Sequence, residues 1–420
     1  MKADFILKNI GQLVTMAGDN NPRTGRCMGE VEILEGAYIA VRDGRILETG
    51  LGEPGRELIG DETLIEDAGG RAVTPGLIDP HTHLVHGGSR ENEFSLKLEG
   101  VPYIDILKQG GGILSTVKST KEATHEELYR KARKSLDTML GYGMTTIEAK
   151  SGYGLDLETE LKQLEVAKNL DENHPVDIAS TFLGAHAVPG EYKENSDVFV
   201  DKVIDMLPIV KERKLAEFCD VFCEEGVFSV EQTRKILLAA RNLGFKLKIH
   251  ADEIVSLGGA ELAAEVGAIS GDHLMAASDR GIEMMAREGV VADILPGTSF
   301  NLGKNYAPVR KMIDSGVPVA LSTDYNPGSC PTENIQFIMQ LGSLGMKMTP
   351  KEVFTAVTIN AAHSIGRAYE VGSIEAGKKA DFVVFDAPNI DYVIYHFGIN
   401  HTRDVYKDGR LVYSQGRVCY

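Results

Sequence analysis

His81 and His83 stand two residues apart at the end of an apolar run, in the segment Thr74-Pro75-Gly76-Leu77-Ile78-Asp79-Pro80-His81-Thr82-His83. On an extended strand that spacing puts both imidazoles on one face. Two imidazoles so placed can coordinate one divalent ion. Pro75-Gly76 launches the run, and Asp79-Pro80 breaks it just before the pair. A lone pair of this kind arises easily by chance, so the rest of the chain has to supply further ligands.

It does so at the ends of other apolar runs. His186 closes Phe182-Leu183-Gly184-Ala185-His186, His250 closes Leu247-Lys248-Ile249-His250, His273 closes Gly271-Asp272-His273, and Asp324 closes Ala320-Leu321-Ser322-Thr323-Asp324. Each alone reads as a hydrogen-bonded structural residue; together they point to one site. His81, His83, His250 and Asp324 form the expected metal set. Three imidazoles and a carboxylate suit one Zn or Fe ion and leave room for a water. An ion of that kind lowers the pKa of water and polarises a carbonyl or amidine carbon. Glu253, three residues past His250, is a candidate general acid or base; the alternative is a loop carboxylate that orients His250. His273 is a candidate for hydrogen bonding to the water or to a forming oxyanion. Its alternative is a tether to Asp324 or to a loop.

Those residues need a frame. Eight apolar runs fall at Gly76–Leu84, Met144–Ala149, Ile178–His186, Cys219–Glu224, Phe245–His250, Ala268–His273, Val290–Leu295 and Val317–Asp324. Amphipathic helical stretches such as Glu126–Leu140, Glu158–Leu170 and Val230–Leu243 separate them. Alternation of this kind predicts parallel βα units, and eight units predict an α/β fold, a closed (β/α)8 TIM-like barrel. Chemistry in such a barrel sits at the C-terminal ends of the strands, where these polar residues lie. An open doubly wound sheet would carry a glycine-rich phosphate turn after an early strand, and none is found.

Both ends of the chain are rich in short strands: Phe5–Leu7, Leu13–Thr15, Tyr38–Val41 and Arg45–Leu47 early, and Asp381–Phe385, Val405–Tyr406 and Leu411–Tyr413 late. The expectation is a small β-sandwich domain built from residues 1–65 and 370–420, around a barrel of residues 66–369.

Composition narrows the function. The 420 residues are 43% hydrophobic and 25% charged, which supports a large core. Lys and Arg number 44 against 61 Asp and Glu, a net charge of −17. That balance argues against nucleic acid or an anionic membrane as partner. The five cysteines are scattered, odd in number and without a C-x-x-C pair. They read as free thiols in a reducing compartment. With no apolar signal core near Met1 and no run of membrane-spanning length, the cytoplasm is the expected location.

The loops after the strands carry the specificity. His86-Gly87-Gly88-Ser89-Arg90 brings a guanidinium beside the metal set. An Arg there reads as a clamp for a carboxylate, since its fork matches one bidentately; the alternative is a surface ion pair. Gln109-Gly110-Gly111-Gly112 follows, then Lys150-Ser151-Gly152-Tyr153-Gly154, where Tyr153 between glycines reads as an exposed ring. After Asp324 comes Asn326-Pro327-Gly328-Ser329, a turn in any reading.

Taken together, Pro80–Leu84 with Gly87–Arg90, Gly110–Val117, Lys150–Gly154, Thr181–Ala187, Lys248–Glu253, Asp272–Leu274 and Asp324–Asn334 resemble the imidazolonepropionase family, within the amidohydrolase superfamily. The resemblance runs from about Pro75 to Asn334, and no presumed metal ligand departs from it. It implies a hydrolase of histidine degradation that opens the cyclic amide of 4-imidazolone-5-propanoate to give N-formimidoyl-L-glutamate. Some members of the superfamily bridge two metals with a lysine on the fourth strand. No lysine lies between Leu215 and Arg234, so the resemblance implies a mononuclear site.

It further implies that Asp324 shuttles a proton, and that Arg90, assisted by Tyr153, holds the propionate. His186 and Glu253 would hold ring N–H groups, and Asn326, Gly328 and Ser329 the carboxylate and ring. A homodimer is the family precedent. Two rivals stay open: a mononuclear deaminase, which has no need of an Arg90 clamp, and a barrel that has lost catalysis.

Overall fold

The computed structural model describes residues 1–101 and 111–420; Gln109 and Gly110 of the glycine-rich segment lie outside them. The terminal sheet begins with β1 (Phe5–Val14), β2 (Ile33–Arg42), β3 (Arg45–Leu51), β4 (Leu64–Asp67) and β5 (Ala72–Pro75). The barrel follows with β6 (Leu77–Asp79), β7 (Met144–Lys150), β8 (Asp177–Ala185), β9 (Phe218–Cys223), β10 (Lys246–Ala251), β11 (Ser270–His273), β12 (Val291–Ile294) and β13 (Val319–Leu321). Each of the eight expected runs overlaps one of these strands. They pair in parallel and in chain order.

The first and last barrel strands meet beyond their regular ends. Thr82 bridges Tyr325 in parallel. His83 N–H donates to the Tyr325 carbonyl at 2.8 Å, and Asp324 N–H donates to the His81 carbonyl at 3.1 Å. The barrel therefore closes through the segments that carry the candidate ligands.

The strands are buried on both faces, which is why they read as near-continuous apolar runs. Every residue of β7 is buried, Glu148 and Lys150 included. Period-two alternation puts Lys248 and His250 on one face of β10, with Leu247 and Ile249 on the other. Two of the flanking helices start at capping boxes: Thr124 and Glu127 form one for His125–Gly141, and Ser229 and Gln232 form one for Val230–Asn242.

The chain returns to the terminal sheet with β14 (Phe382–Phe385), β15 (Thr402–Lys407), β16 (Arg410–Ser414) and β17 (Arg417–Val418). β14 pairs antiparallel with β5, and β5 pairs with β1. The sheet packs over on itself as a sandwich. Phe5 on β1 stacks 5.2 Å from Tyr406 on β15, and the Tyr406 hydroxyl donates to Glu66 on β4 at 2.5 Å, although those strands are not neighbours. Two hairpins turn through Asp43-Gly44 and Asp408-Gly409, all four at positive φ, as a two-residue Asp-Gly loop requires.

One element differs from its expectation. Phe5–Leu7 and all but the last residue of Leu13–Thr15 belong to one strand, β1. Its register against β2 shifts between Leu7 and Ile10, where Asn9 takes φ +54°. That bulge breaks the alternation that reads as two strands.

Candidate metal centre and active site

The ligand candidates converge at the C-terminal mouth of the barrel. Ligand atoms of His81, His83 and His250 lie within 4.8 Å of one another, as do those of His81, His273 and Asp324. Asp324 Oδ1 stands 3.5 Å from His81 Nε2 and 3.7 Å from His83 Nε2. The Nε2 atoms of His81 and His250 are buried and have no hydrogen-bond partner. Unpartnered buried nitrogens are costly unless something fills the space between them. Burial, with the charge of Lys150 next, holds His81 well below the ordinary imidazole range, and burial does the same for His83. Neutral imidazoles are what a cation needs; at His250 burial is outweighed by the Asp220 carboxylate, which raises the ring, so an ion there takes the place of a proton, and this donor set fits one divalent ion.

The backbone is left-handed at three non-glycine residues near the centre. His273 takes φ +72°, Asp324 φ +55° and Asp252 φ +48°, all at the ends of barrel strands. Left-handed backbone at non-glycine residues is disfavoured and gathers at functional sites.

Two carboxylates stand behind the histidines. Asp272 Oδ2 is 2.6 Å from His81 Nδ1, and Asp220 Oδ2 is 2.9 Å from His250 Nδ1. Each fixes the ring so that Nε2 faces the site, the usual carboxylate–histidine–metal arrangement. The carboxylate beside His250 is thus Asp220. Glu253 instead stands 3.7 Å from His273 Nε2, and burial lifts its carboxyl to about 7.

Below the ligands, Glu148, Asp220, Asp272 and Asp293 surround Lys150 and Lys248 in a fully buried network. The sequence reading missed it, as it missed three carboxylates that hold loops. Glu160 accepts from the backbone N–H groups of Gly152, Gly154 and Leu155 at 2.8–3.0 Å. Glu224 accepts from Ile254 and Val255 and so pins the segment beside Glu253. Asp252 accepts from the four N–H groups of Leu257 to Ala260.

A cavity of about 1070 Å³ opens over the centre, lined among others by Arg90, Tyr153, His186, Glu253, Gly328 and Ser329. His186 stacks on His83, with ring centroids 4.8 Å apart and planes 8° from parallel. Its Nδ1 donates to the Gly152 carbonyl at 3.0 Å, which assigns the free Nε2 to the acceptor role. Gly152 takes φ +108°, and a Cβ there would strike His186, so glycine is required.

Tyr153 corrects its expectation: it is 3% exposed, because Glu160 draws its loop into the barrel mouth and the ring packs against His83 and His186. Arg90 is nearly buried and pairs with Glu93 at 2.9 Å. Asn326 lies in the lining, but its amide serves its own loop: Oδ1 accepts from Gly328 and Ser329, and Nδ2 donates to the Asp324 carbonyl and to Ser329.

A closed (β/α)8 barrel with a histidine and carboxylate cluster at its C-terminal mouth, joined to a β-sandwich from both termini, defines a metal-dependent hydrolase architecture. The profile of the amidohydrolase family matches residues 72–412, and the chain belongs to that family. Among its relatives, the imidazolonepropionase of Alkaliphilus metalliredigens (strain QYMF) is 63% identical over 100% of both chains. That of Fusobacterium nucleatum is 59% identical over 99% of this chain and 100% of the other. Solved structures show the same fold at low identity. An adenosine deaminase from Xanthomonas campestris with bound zinc has a TM-score of 0.74 at 17% identity, covering 100% of this chain and 94% of that one. The guanine deaminase of E. coli has 0.72 at 16%, covering 98% and 99%. Among the described residues, no helix is long and apolar enough to cross a membrane.

Proposed function

We propose that the chain hydrolyses 4-imidazolone-5-propanoate to N-formimidoyl-L-glutamate, the third step of histidine degradation. Full-length identity of 63% to an imidazolonepropionase carries this reading, and the guanidinium of Arg90 beside the metal set agrees with it. His81, His83, His250 and Asp324 would hold one ion, Zn or Fe. Such an ion supplies Lewis-acid polarisation of the ring carbonyl and acidifies water.

The chain's own residues do the rest. Arg90 holds the propionate, with Tyr153 beside it. His186 accepts a ring N–H at Nε2. Ser329 and the backbone of Gly328 border the carboxylate and ring, on a loop that Asn326 keeps in shape. Water adds to the ring carbonyl carbon, the bond from that carbon to the ring nitrogen breaks, and the carbonyl becomes the new carboxylate. A proton leaves the water and one reaches the departing nitrogen. Glu253 is suited to carry it, because a carboxyl near pKa 7 both accepts and donates at neutral pH. Asp324, also raised by burial, is the second proton carrier, and His273 steadies the forming oxyanion.

The test is a substrate panel. Imidazolone propionate should give N-formimidoyl-glutamate, identified by NMR, while guanine, cytosine and adenosine should remain intact. Deamination of a base without turnover of the imidazolone would replace this reading with the deaminase one.

Two further readings belong here. The split into a composite terminal domain and a barrel is our assignment; because β4 and β5 pair within the terminal sheet, its junction is better drawn between Pro75 and Leu77 than at residue 65. A cytoplasmic homodimer is in keeping with five free cysteines and with exposed Tyr395, Phe397 and Ile399. Sedimentation at low salt tests the dimer.

A further inference from the structure

Lys150 makes a contact that the proposed chemistry does not use. Its ammonium donates to Asp220 Oδ2 at 2.7 Å, to Asp272 Oδ2 at 3.2 Å and to Glu148 at 3.1 Å. An ammonium has three donors, and all three go to carboxylates. Two of the acceptor oxygens are the same atoms that face the ligand histidines: Asp220 Oδ2 faces His250 Nδ1 at 2.9 Å, and Asp272 Oδ2 faces His81 Nδ1 at 2.6 Å. The side chains of Lys150, Asp220 and Asp272 are all completely buried. Ligand atoms of Asp220 and Asp272 also lie within 4.8 Å of each other. Two anions that close in a dry interior repel strongly.

We propose that Lys150 is a positioning residue of the metal centre: its ammonium clasps Asp220 and Asp272 together, and through them turns the Nε2 atoms of His250 and His81 toward one ion. One side chain thereby sets the orientation of two ligands, one just past β6 and one on β10. Without the cation the carboxylates swing apart, each histidine loses its brace, and the ligand atoms no longer converge. This inference rests on the metal-centre reading above.

Lys248 supplies the control. It is equally buried in the same network and its charge also acts on Asp272, but its hydrogen bonds go to Glu148, Asp293, Ser364 and the Pro80 carbonyl, and to neither Asp220 nor Asp272. Metal-free wild type, K150M and K248M would be compared for Zn²⁺ affinity by chelator competition. Each would then be loaded with Co²⁺, whose visible ligand-field bands report ligand geometry. K150M should bind Zn²⁺ about 10–100-fold more weakly, the usual cost of losing outer support for a ligand, and its Co²⁺ bands should shift. K248M, which leaves both Lys150 hydrogen bonds to Asp220 and Asp272 in place, should keep the wild-type Co²⁺ spectrum and lose much less Zn²⁺ affinity than K150M. If K150M does not fold, K150Q, which keeps N–H donors in the space, carries the same expectation.

Wild-type affinity and spectrum in a folded Lys150 variant would overturn the proposal, and so would an equal loss in K248M. A wild-type chain that takes up no ion would overturn the metal centre and this inference together. Wild-type binding with an unaltered Lys150 variant overturns this inference alone.

Discussion

Arg90 lies against Gly328 so closely that a Cβ at residue 328 would fall inside the contact distance of the guanidinium Nη1. The loop after the eighth barrel strand thus leaves room for a clamp carried by the loop after the first. Arg90→Ala removes a charge-assisted hydrogen bond worth about 1.5–3 kcal/mol. KM for the propionate substrate should rise about 10–100-fold, while metal content stays at the wild-type value. Gly328→Ala should shift KM in the same direction by pushing the guanidinium aside. Steady-state kinetics with metal analysis checks both; an unchanged KM in R90A would remove the clamp.

Glu253 gives a pH dependence. Burial is the main cause of its raised pKa of about 7, with the Glu224 charge adding to it and His250 opposing. The ionised form accepts the proton, and that form grows as pH rises through about 7. The rate should therefore climb on the acid side with an apparent pKa near that value. Glu253→Gln should lower kcat by about 10²–10⁴-fold and abolish that limb. A pH profile of kcat for wild type and variant is the check.

His86 and His186 give a stability dependence of known sign. Burial lowers both to about 3, against an ordinary value near 6.5. Between those limits the unfolded chain binds more protons than the folded one, so stability falls as pH drops from about 6.5 toward about 3. Thermal unfolding of metal-free protein across that window should show the decline, and His186→Gln should make it shallower. A variant with the full wild-type slope would contradict the assignment.

The barrel was legible in the sequence because strands buried on both faces make short apolar runs, and the candidate ligands stand out because they end those runs. The network of Lys150, Lys248, Glu148, Asp220, Asp272 and Asp293 was not. Its members sit inside apolar runs or, for Lys150, directly after one, up to 145 residues apart from Glu148 to Asp293, and only barrel closure brings them together. Nor did Tyr153 read correctly: glycines on both sides suggest exposure, and nothing nearby in sequence reveals that Glu160, one turn into the next helix, holds the loop down. Asp220 was hidden for a related reason, since its partner His250 is thirty residues on and on another strand.

The most direct measurement is an absorbance assay of freshly generated imidazolone propionate, with protein of known metal content, before and after chelation and after the ion is restored. The imidazolone band should disappear rapidly with the loaded protein, persist after chelation, and disappear again once the ion is returned, with N-formimidoyl-glutamate as product. A fully loaded protein that leaves the band unchanged, or one that works equally well after complete metal removal, would contradict the account.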